Sequence, residues 1–100
     1  MAWLPILEYR EFHDVPRLIL VSVDGRFLLL DCPFDHALDD YPSDYAVYEL
    51  GADPRRSGPA DWRALSETGR ILGRVPVESI AFDPTRRESI NSDGLAPILK

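Results

Sequence analysis

Residues 17–32 read Arg-Leu-Ile-Leu-Val-Ser-Val-Asp-Gly-Arg-Phe-Leu-Leu-Leu-Asp-Cys, and this stretch decides the fold. Two apolar runs flank Asp24-Gly25, a dipeptide that suits a two-residue type I′ turn because both of its positions need a positive φ angle. The pattern therefore predicts a β-hairpin. With a turn at this place, Val21 pairs with Leu28 across the two strands.

Both faces of the predicted hairpin are apolar. One face is continuous and consists of Ile19, Val21, Val23, Leu28, Leu30 and Cys32. The other face carries Leu18, Leu20, Phe27 and Leu29 and is interrupted by Ser22 and Asp31. Because strands that are apolar on both faces are buried on both faces, we expect the hairpin at the centre of the domain. It is then covered on both sides or wrapped into a tight barrel.

Further elements are predicted before and after the hairpin. Residues 6–12 and 44–50 are typical of strands, since they alternate or are rich in aromatic and β-branched side chains. A helix is expected from Pro59 to Leu72, with an apolar stripe at helical spacing and Gly73 as its C-terminal left-handed residue. Residues 77–82 are predicted as a closing strand, residues 33–43 as a loop or one short helical turn, and residues 51–58 as a linker.

This order of elements predicts an α+β fold, an antiparallel sheet of about four to five strands with one packed helix. The alternative is a small SH3-like β-barrel with one helix. The chain has 100 residues, of which 45% are hydrophobic. A chain of that length and composition is expected to form a single globular domain, residues 1–100.

The formal net charge of −6 is concentrated in one segment. Residues 27–54 hold seven acidic residues and no lysine or arginine, whereas residues 1–26 sum to −1 and residues 55–100 to +2. Such a segment disfavours nucleic acid and anionic membrane as partners, because both are negatively charged. It favours a cation, a metal or a basic protein surface, and a solvated acidic loop is the plainer alternative.

The N-terminus and the cysteine content indicate a reducing compartment. The chain starts without a basic segment and reaches Glu8 before any long apolar run, so no signal peptide is predicted. Its apolar runs are too short for a membrane helix, and its single cysteine cannot form an internal disulfide. We therefore expect a cytoplasmic protein. The preference for arginine over lysine is typical of a GC-rich bacterial genome.

The segment after the hairpin carries the best candidate for recognition. Carboxylates alternate with tyrosines around a proline that stiffens the chain, and tyrosine is enriched in binding surfaces. The predicted surface comprises Asp35, Asp39, Asp40, Tyr41, Asp44 and Tyr45. Its carboxylates would select a basic protein partner. The alternative is that the two tyrosines only cover the end of the core.

A divalent metal site is the second hypothesis for this segment. His36 stands three and four residues before Asp39 and Asp40, so one helical turn would place the three side chains on one face. Imidazole and carboxylate together suit zinc or manganese. Catalysis by Cys32 with His36 is disfavoured, because nearby carboxylates raise the pKa of a thiol and the predicted register turns Cys32 toward the core.

The sequence predicts a non-enzymatic protein-interaction module with no cofactor, although an enzyme is not excluded. An inhibitor or immunity-type protein is one concrete instance, by analogy of size and charge alone. The alternative is a small metal-binding or metal-dependent enzyme at His36. A third hypothesis is a structural subunit that forms homo-oligomers, with Arg86 and Arg87 as a homodimer or anion contact.

Overall fold

The structure, a computed structural model, describes residues 3–13, 15–57, 62–80, 82–83, 89–91, 95 and 98. These residues form strands and short helical pieces. The strands are β1 (Trp3–His13), β2 (Val15–Val23), β3 (Arg26–Asp31), β4 (Asp44–Leu50), β5 (Arg70–Pro76), β6 (Phe82–Asp83) and β7 (Ser89–Asn91). The α-helices are α1 (Pro54–Ser57) and α2 (Leu65–Thr68), and 3-10 turns span Trp62–Ala64 and Val77–Ser79.

The predicted hairpin is confirmed as β2 and β3. Asp24 and Gly25 both have positive φ angles, 52° and 78°, as a type I′ turn requires. Val21 lies opposite Leu28, which is the predicted register, and the pairs along both strands follow from it. The local turn chemistry therefore fixes which side chains share a face.

Strands β1 to β5 form an antiparallel meander in which each strand pairs with the next one. The full strand order is β5-β4-β3-β2-β1-β7-β6, with β5 and β6 at its two ends. Among the described residues the sheet is open, and it is not the closed barrel of the alternative prediction. The hairpin lies at the centre of the five main strands, as expected.

Apolar clusters cover both faces of the sheet. The first cluster contains Ile19, Val21, Leu28, Leu30, Cys32, Tyr45, Val47, Val75, Ile80, Ile90 and Leu95. The second cluster contains Leu18, Leu20, Leu29, Leu50, Trp62 and Leu65. Alternate residues of the hairpin thus enter opposite clusters, which confirms that it is buried on both sides.

The protein is mostly β, and the predicted helix from residue 59 to residue 72 is wrong in its second half. The helical pieces among residues 62–68 end at Gly69, whose N–H donates to the carbonyl oxygen of Leu65 at 2.8 Å. Residues 70–76 are strand β5 instead. Pairing with β4 buries Val75 in the first apolar cluster, and this tertiary contact outweighs the helical spacing of a few apolar side chains.

Gly73 therefore does not end a helix. Val47 lies opposite Gly73 and Tyr48 lies opposite Ile71, so β5 carries one extra residue, a β-bulge. The φ angle of Gly73 is 158°, and a Cβ atom here would lie 2.9 Å from Cγ2 of Ile98. The close approach of the Ile98 side chain explains why this position has no side chain of its own.

The predicted closing strand at residues 77–82 is also largely wrong. Residues 77–79 form a 3-10 turn, and of the described residues in that range Phe82 alone is in strand β6. The N–H of Val77 donates to the carbonyl oxygen of Ser43 at 2.8 Å, so the turn is tied to the start of β4. This contact places residue 77 next to the acidic loop, residues 33–43, which is distant from it in sequence.

Candidate functional site

Residues 33–43 form an ordered loop between β3 and β4. Asp35 and Asp40 form an isolated antiparallel bridge, and the N–H of Asp35 donates to the carbonyl oxygen of Asp40 at 2.9 Å. Oδ1 of Asp35 accepts from the N–H of Ala37 at 2.9 Å, which caps the turn between them. The loop is thus a small hairpin of its own, stabilised by its aspartates.

Three acidic residues of the segment 27–54 are already neutralised or buried. Glu49 accepts from Arg26 at 2.7 Å and also from Arg70. Asp53 pairs with Arg55 at 2.7 Å. Asp31 is buried, with 5% of its surface exposed. These three residues, near the two ends of the segment, therefore do not present exposed and unneutralised charges.

The two arginines beside Glu49 produce a testable pH dependence. Hydrogen bonds from Arg26 and then from Arg70 lower the pKa of Glu49 from 4.5 to about 2. A lowered pKa in the folded state stabilises the protein above pH 4.5, and that contribution is lost as the pH falls toward 2. We expect Glu49→Gln to flatten the decline of the unfolding free energy between these pH values, measured by urea denaturation. An unchanged acid dependence in the variant contradicts this role.

The other four carboxylates of the segment form no salt bridge within the described part of the chain: Asp35, Asp39, Asp40 and Asp44. Asp39 and Asp40 are exposed, and Asp35 and Asp44 are half-buried. Asp40 also accepts from the N–H of Tyr41 at 2.7 Å. The unneutralised charge is therefore confined to this loop and the first residue of β4, a narrower region than the acidic segment of the sequence.

Aromatic and apolar side chains accompany these carboxylates. The ring of Phe34 meets Tyr41 edge-on at 5.3 Å and His36 at 5.0 Å, measured between ring centroids. The guanidinium of Arg17 lies 4.3 Å above the ring of Tyr41. Phe34 and Leu38 are large apolar residues that remain exposed, at 38% and 63%. The loop thus offers apolar contact area together with negative charge.

Tyr45 belongs to the core, so its inclusion in the predicted binding surface is wrong. Its side chain is 1% exposed, and its hydroxyl donates to the carbonyl oxygen of Pro16 at 2.6 Å. Burial raises the pKa of Tyr45 to about 12, and the nearby Cys32 thiol adds to this. Tyr45 therefore anchors the start of β4 and is not available to a partner, whereas Tyr41 is partly exposed.

Cys32 and His36, the residues considered for catalysis and metal binding, lie in different environments. Cys32 is buried; its thiol donates to the carbonyl oxygen of Pro42 at 3.3 Å and accepts from Arg17 at 3.5 Å. His36 is exposed at the turn of the loop. Within the part of the chain that is described, no group of three or more histidine, cysteine or acidic residues is arranged to hold a metal. The metal site at His36, Asp39 and Asp40 stays a prediction.

The loop borders a groove that sequence patterns did not reveal. Residues 40–44 form one side, residues 76–78 form the other, and Arg17 completes the lining. The groove has a volume of about 560 Å³. Glu78 adds a carboxylate that lies far from Asp44 in sequence, and residue spacing gave no signal for it. The pairing of Asp44 with Pro76 across β4 and β5 creates this juxtaposition.

Arg86 and Arg87, the predicted homodimer or anion contact, lie outside the described residues. Among the described residues, no helix has both the length and the apolar character that a bilayer crossing requires. Comparisons with protein-family models, with curated proteins and with solved structures found no match.

Proposed function

We propose that this protein is a non-enzymatic protein-interaction module that presents the acidic, tyrosine-bearing region around residues 31–48 to a basic protein partner. One observation carries the proposal. Within the acidic segment 27–54, Glu49 and Asp53 are paired with arginines and Asp31 is buried, whereas Asp35, Asp39, Asp40 and Asp44 have no salt bridge with a described residue. A protein that binds and neutralises a basic partner, such as an inhibitor or immunity-type protein, is a concrete instance.

The composition of the loop supports a protein as the partner. Exposed carboxylates accelerate the encounter with a positively charged surface and exclude negatively charged ones. Phe34 and Leu38 add exposed apolar area, which strengthens a contact once solvent is displaced. The bridge between Asp35 and Asp40 restrains the loop, so less conformational entropy is lost on binding.

The test neutralises three of the four carboxylates that form no salt bridge with a described residue, while it retains the fold. We expect the triple variant Asp39→Asn, Asp40→Asn, Asp44→Asn to bind a fluorescent lysine-rich peptide about a hundredfold more weakly, because three ionic contacts are lost. Fluorescence anisotropy at low ionic strength measures the affinity. The amide side chains keep the size of the carboxylates, and an unchanged thermal unfolding midpoint shows that the fold is intact.

The matched control neutralises three exposed carboxylates outside the loop: Glu11→Gln, Asp24→Asn and Glu67→Gln. It changes the net charge by the same amount, so general electrostatic attraction falls equally in both variants. We expect its affinity to remain within about threefold of the unsubstituted protein. Equal losses in the two variants would show that only the net charge matters and would refute a localised surface.

A further inference from the structure

The groove between residues 40–44 and 76–78 has one side from the acidic loop and the other from the 3-10 turn after β5. The hydrogen bond from the N–H of Val77 to the carbonyl oxygen of Ser43 joins the two sides. Pro42 and Pro76 lie on opposite sides and limit the backbone freedom of both. The groove is therefore a preformed feature of the fold and not a gap between independent segments.

The charges that line this groove are unbalanced. Asp40, Asp44 and Glu78 contribute three carboxylates, and none of them forms a salt bridge with a described residue. Arg17 contributes the positive charge of the lining, and its guanidinium is engaged with the ring of Tyr41 and the sulfur of Cys32. A ligand that enters the groove thus meets an excess of negative charge.

A second groove of the protein provides an internal comparison. It is lined by Arg26, Phe27, Glu49 and Arg70, among others, and has a volume of about 470 Å³. Its carboxylate, Glu49, is held between Arg26 and Arg70. The two grooves are similar in volume but opposite in charge balance, so of these two the groove between residues 40–44 and 76–78 is the one that is electrostatically complementary to a cation.

We infer that the groove between residues 40–44 and 76–78 binds an extended, lysine-bearing segment of the basic partner, with the ammonium group facing Asp40, Asp44 and Glu78. The inference rests on the proposed function and specifies where the partner docks. Lysine fits better than arginine because Arg17 already covers a face of Tyr41, the aromatic ring of this lining. The other groups of the lining that can attract a cation are three separate carboxylates, which suit a compact ammonium ion rather than a planar guanidinium.

Two substitutions separate binding in the groove from general attraction to the loop. Glu78→Gln removes one carboxylate outside the loop, and Glu67→Gln on helix α2 is its matched control. Ser43→Phe places a large side chain in the groove without changing any charge, and Ser43 is exposed, so the fold should tolerate it. The probe is a fluorescent heptapeptide of alternating glycine and lysine, with arginine and norleucine versions for comparison.

We expect Glu78→Gln to weaken lysine-peptide binding about fivefold and Ser43→Phe about tenfold, with Glu67→Gln within about twofold of the unsubstituted protein. In nuclear magnetic resonance titrations, the lysine peptide should shift the amide signals of Ser43, Asp44, Val77 and Glu78. The norleucine peptide should not bind, because it lacks the charge.

Other outcomes separate the two proposals. If the triple aspartate variant loses binding but Glu78→Gln and Ser43→Phe do not, the groove is overturned and the acidic surface stands. If the unsubstituted protein does not bind the lysine peptide, both proposals fail. Equal or tighter binding of the arginine peptide overturns the assignment of lysine.

Discussion

Replacing Trp62 with alanine should lower the free energy of unfolding by about 3–5 kcal/mol, the range expected for truncating a buried tryptophan. Trp62 is 2% exposed and is the largest side chain of the second apolar cluster. The guanidinium of Arg10 also lies 3.8 Å from the centre of its ring. The substitution therefore opens a cavity against the hairpin and removes a cation–π contact.

Urea denaturation followed by far-ultraviolet circular dichroism measures this loss, since the signal comes mainly from the backbone and a transition can still be followed without tryptophan fluorescence. Trp62→Phe is the matched control, and we expect a smaller loss because the aromatic ring still fills part of the site. Domains of this size are typically stable by about 5–15 kcal/mol, so the alanine variant is close to unfolding. A loss below about 1 kcal/mol would contradict the burial of Trp62 against the sheet.

The second large effect is expected at the opposite face of the sheet. Leu30 is fully buried in the first apolar cluster and lies between Ile19 on β2 and Val47 on β4. We expect Leu30→Ala to lower the unfolding free energy by about 2–5 kcal/mol, because central strands leave the cavity little room to collapse. The same denaturation experiment measures this loss.

Leu38 is the matched control for Leu30, since it is the same residue type at an exposed position. Leu38 is 63% exposed at the turn of the acidic loop, so Leu38→Ala should change stability by less than about 0.5 kcal/mol. Similar losses at Leu30 and Leu38 would overturn the assignment of core and surface. Because Trp62 and Leu30 lie in separate clusters, their losses should add within about 0.5 kcal/mol in the double variant.

The hairpin could be predicted from sequence because its determinants are local. Asp24-Gly25 can adopt the two positive φ angles of a type I′ turn, and a two-residue turn fixes the register of the strands that it joins. Strand β4 could be predicted for a similar reason, since it is bounded by turn residues and rich in aromatic side chains. Burial on both faces followed from the apolar alternation.

The region after residue 58 was predicted poorly because competing pairings decide it. The stretch from Arg70 to Pro76 carries apolar residues at a spacing compatible with a helix, yet it pairs with β4. In sequence, Gly73 is typical of a helix end. In the fold, its lack of a side chain leaves room for Ile98, which lies twenty-five residues later in the chain. Contacts between distant residues outweigh local propensity at such positions.

The same contrast between local and tertiary determinants applies to the acidic site. The sequence by itself located the charge excess and the tyrosines, because both are properties of composition along one short segment. Only the tertiary structure decided which charges remain: it pairs Glu49 with arginines from β3 and β5, buries Tyr45, and brings Glu78 beside Asp44. Ion pairing and burial depend on which strands are neighbours, and strand order is set by the packing of the whole sheet.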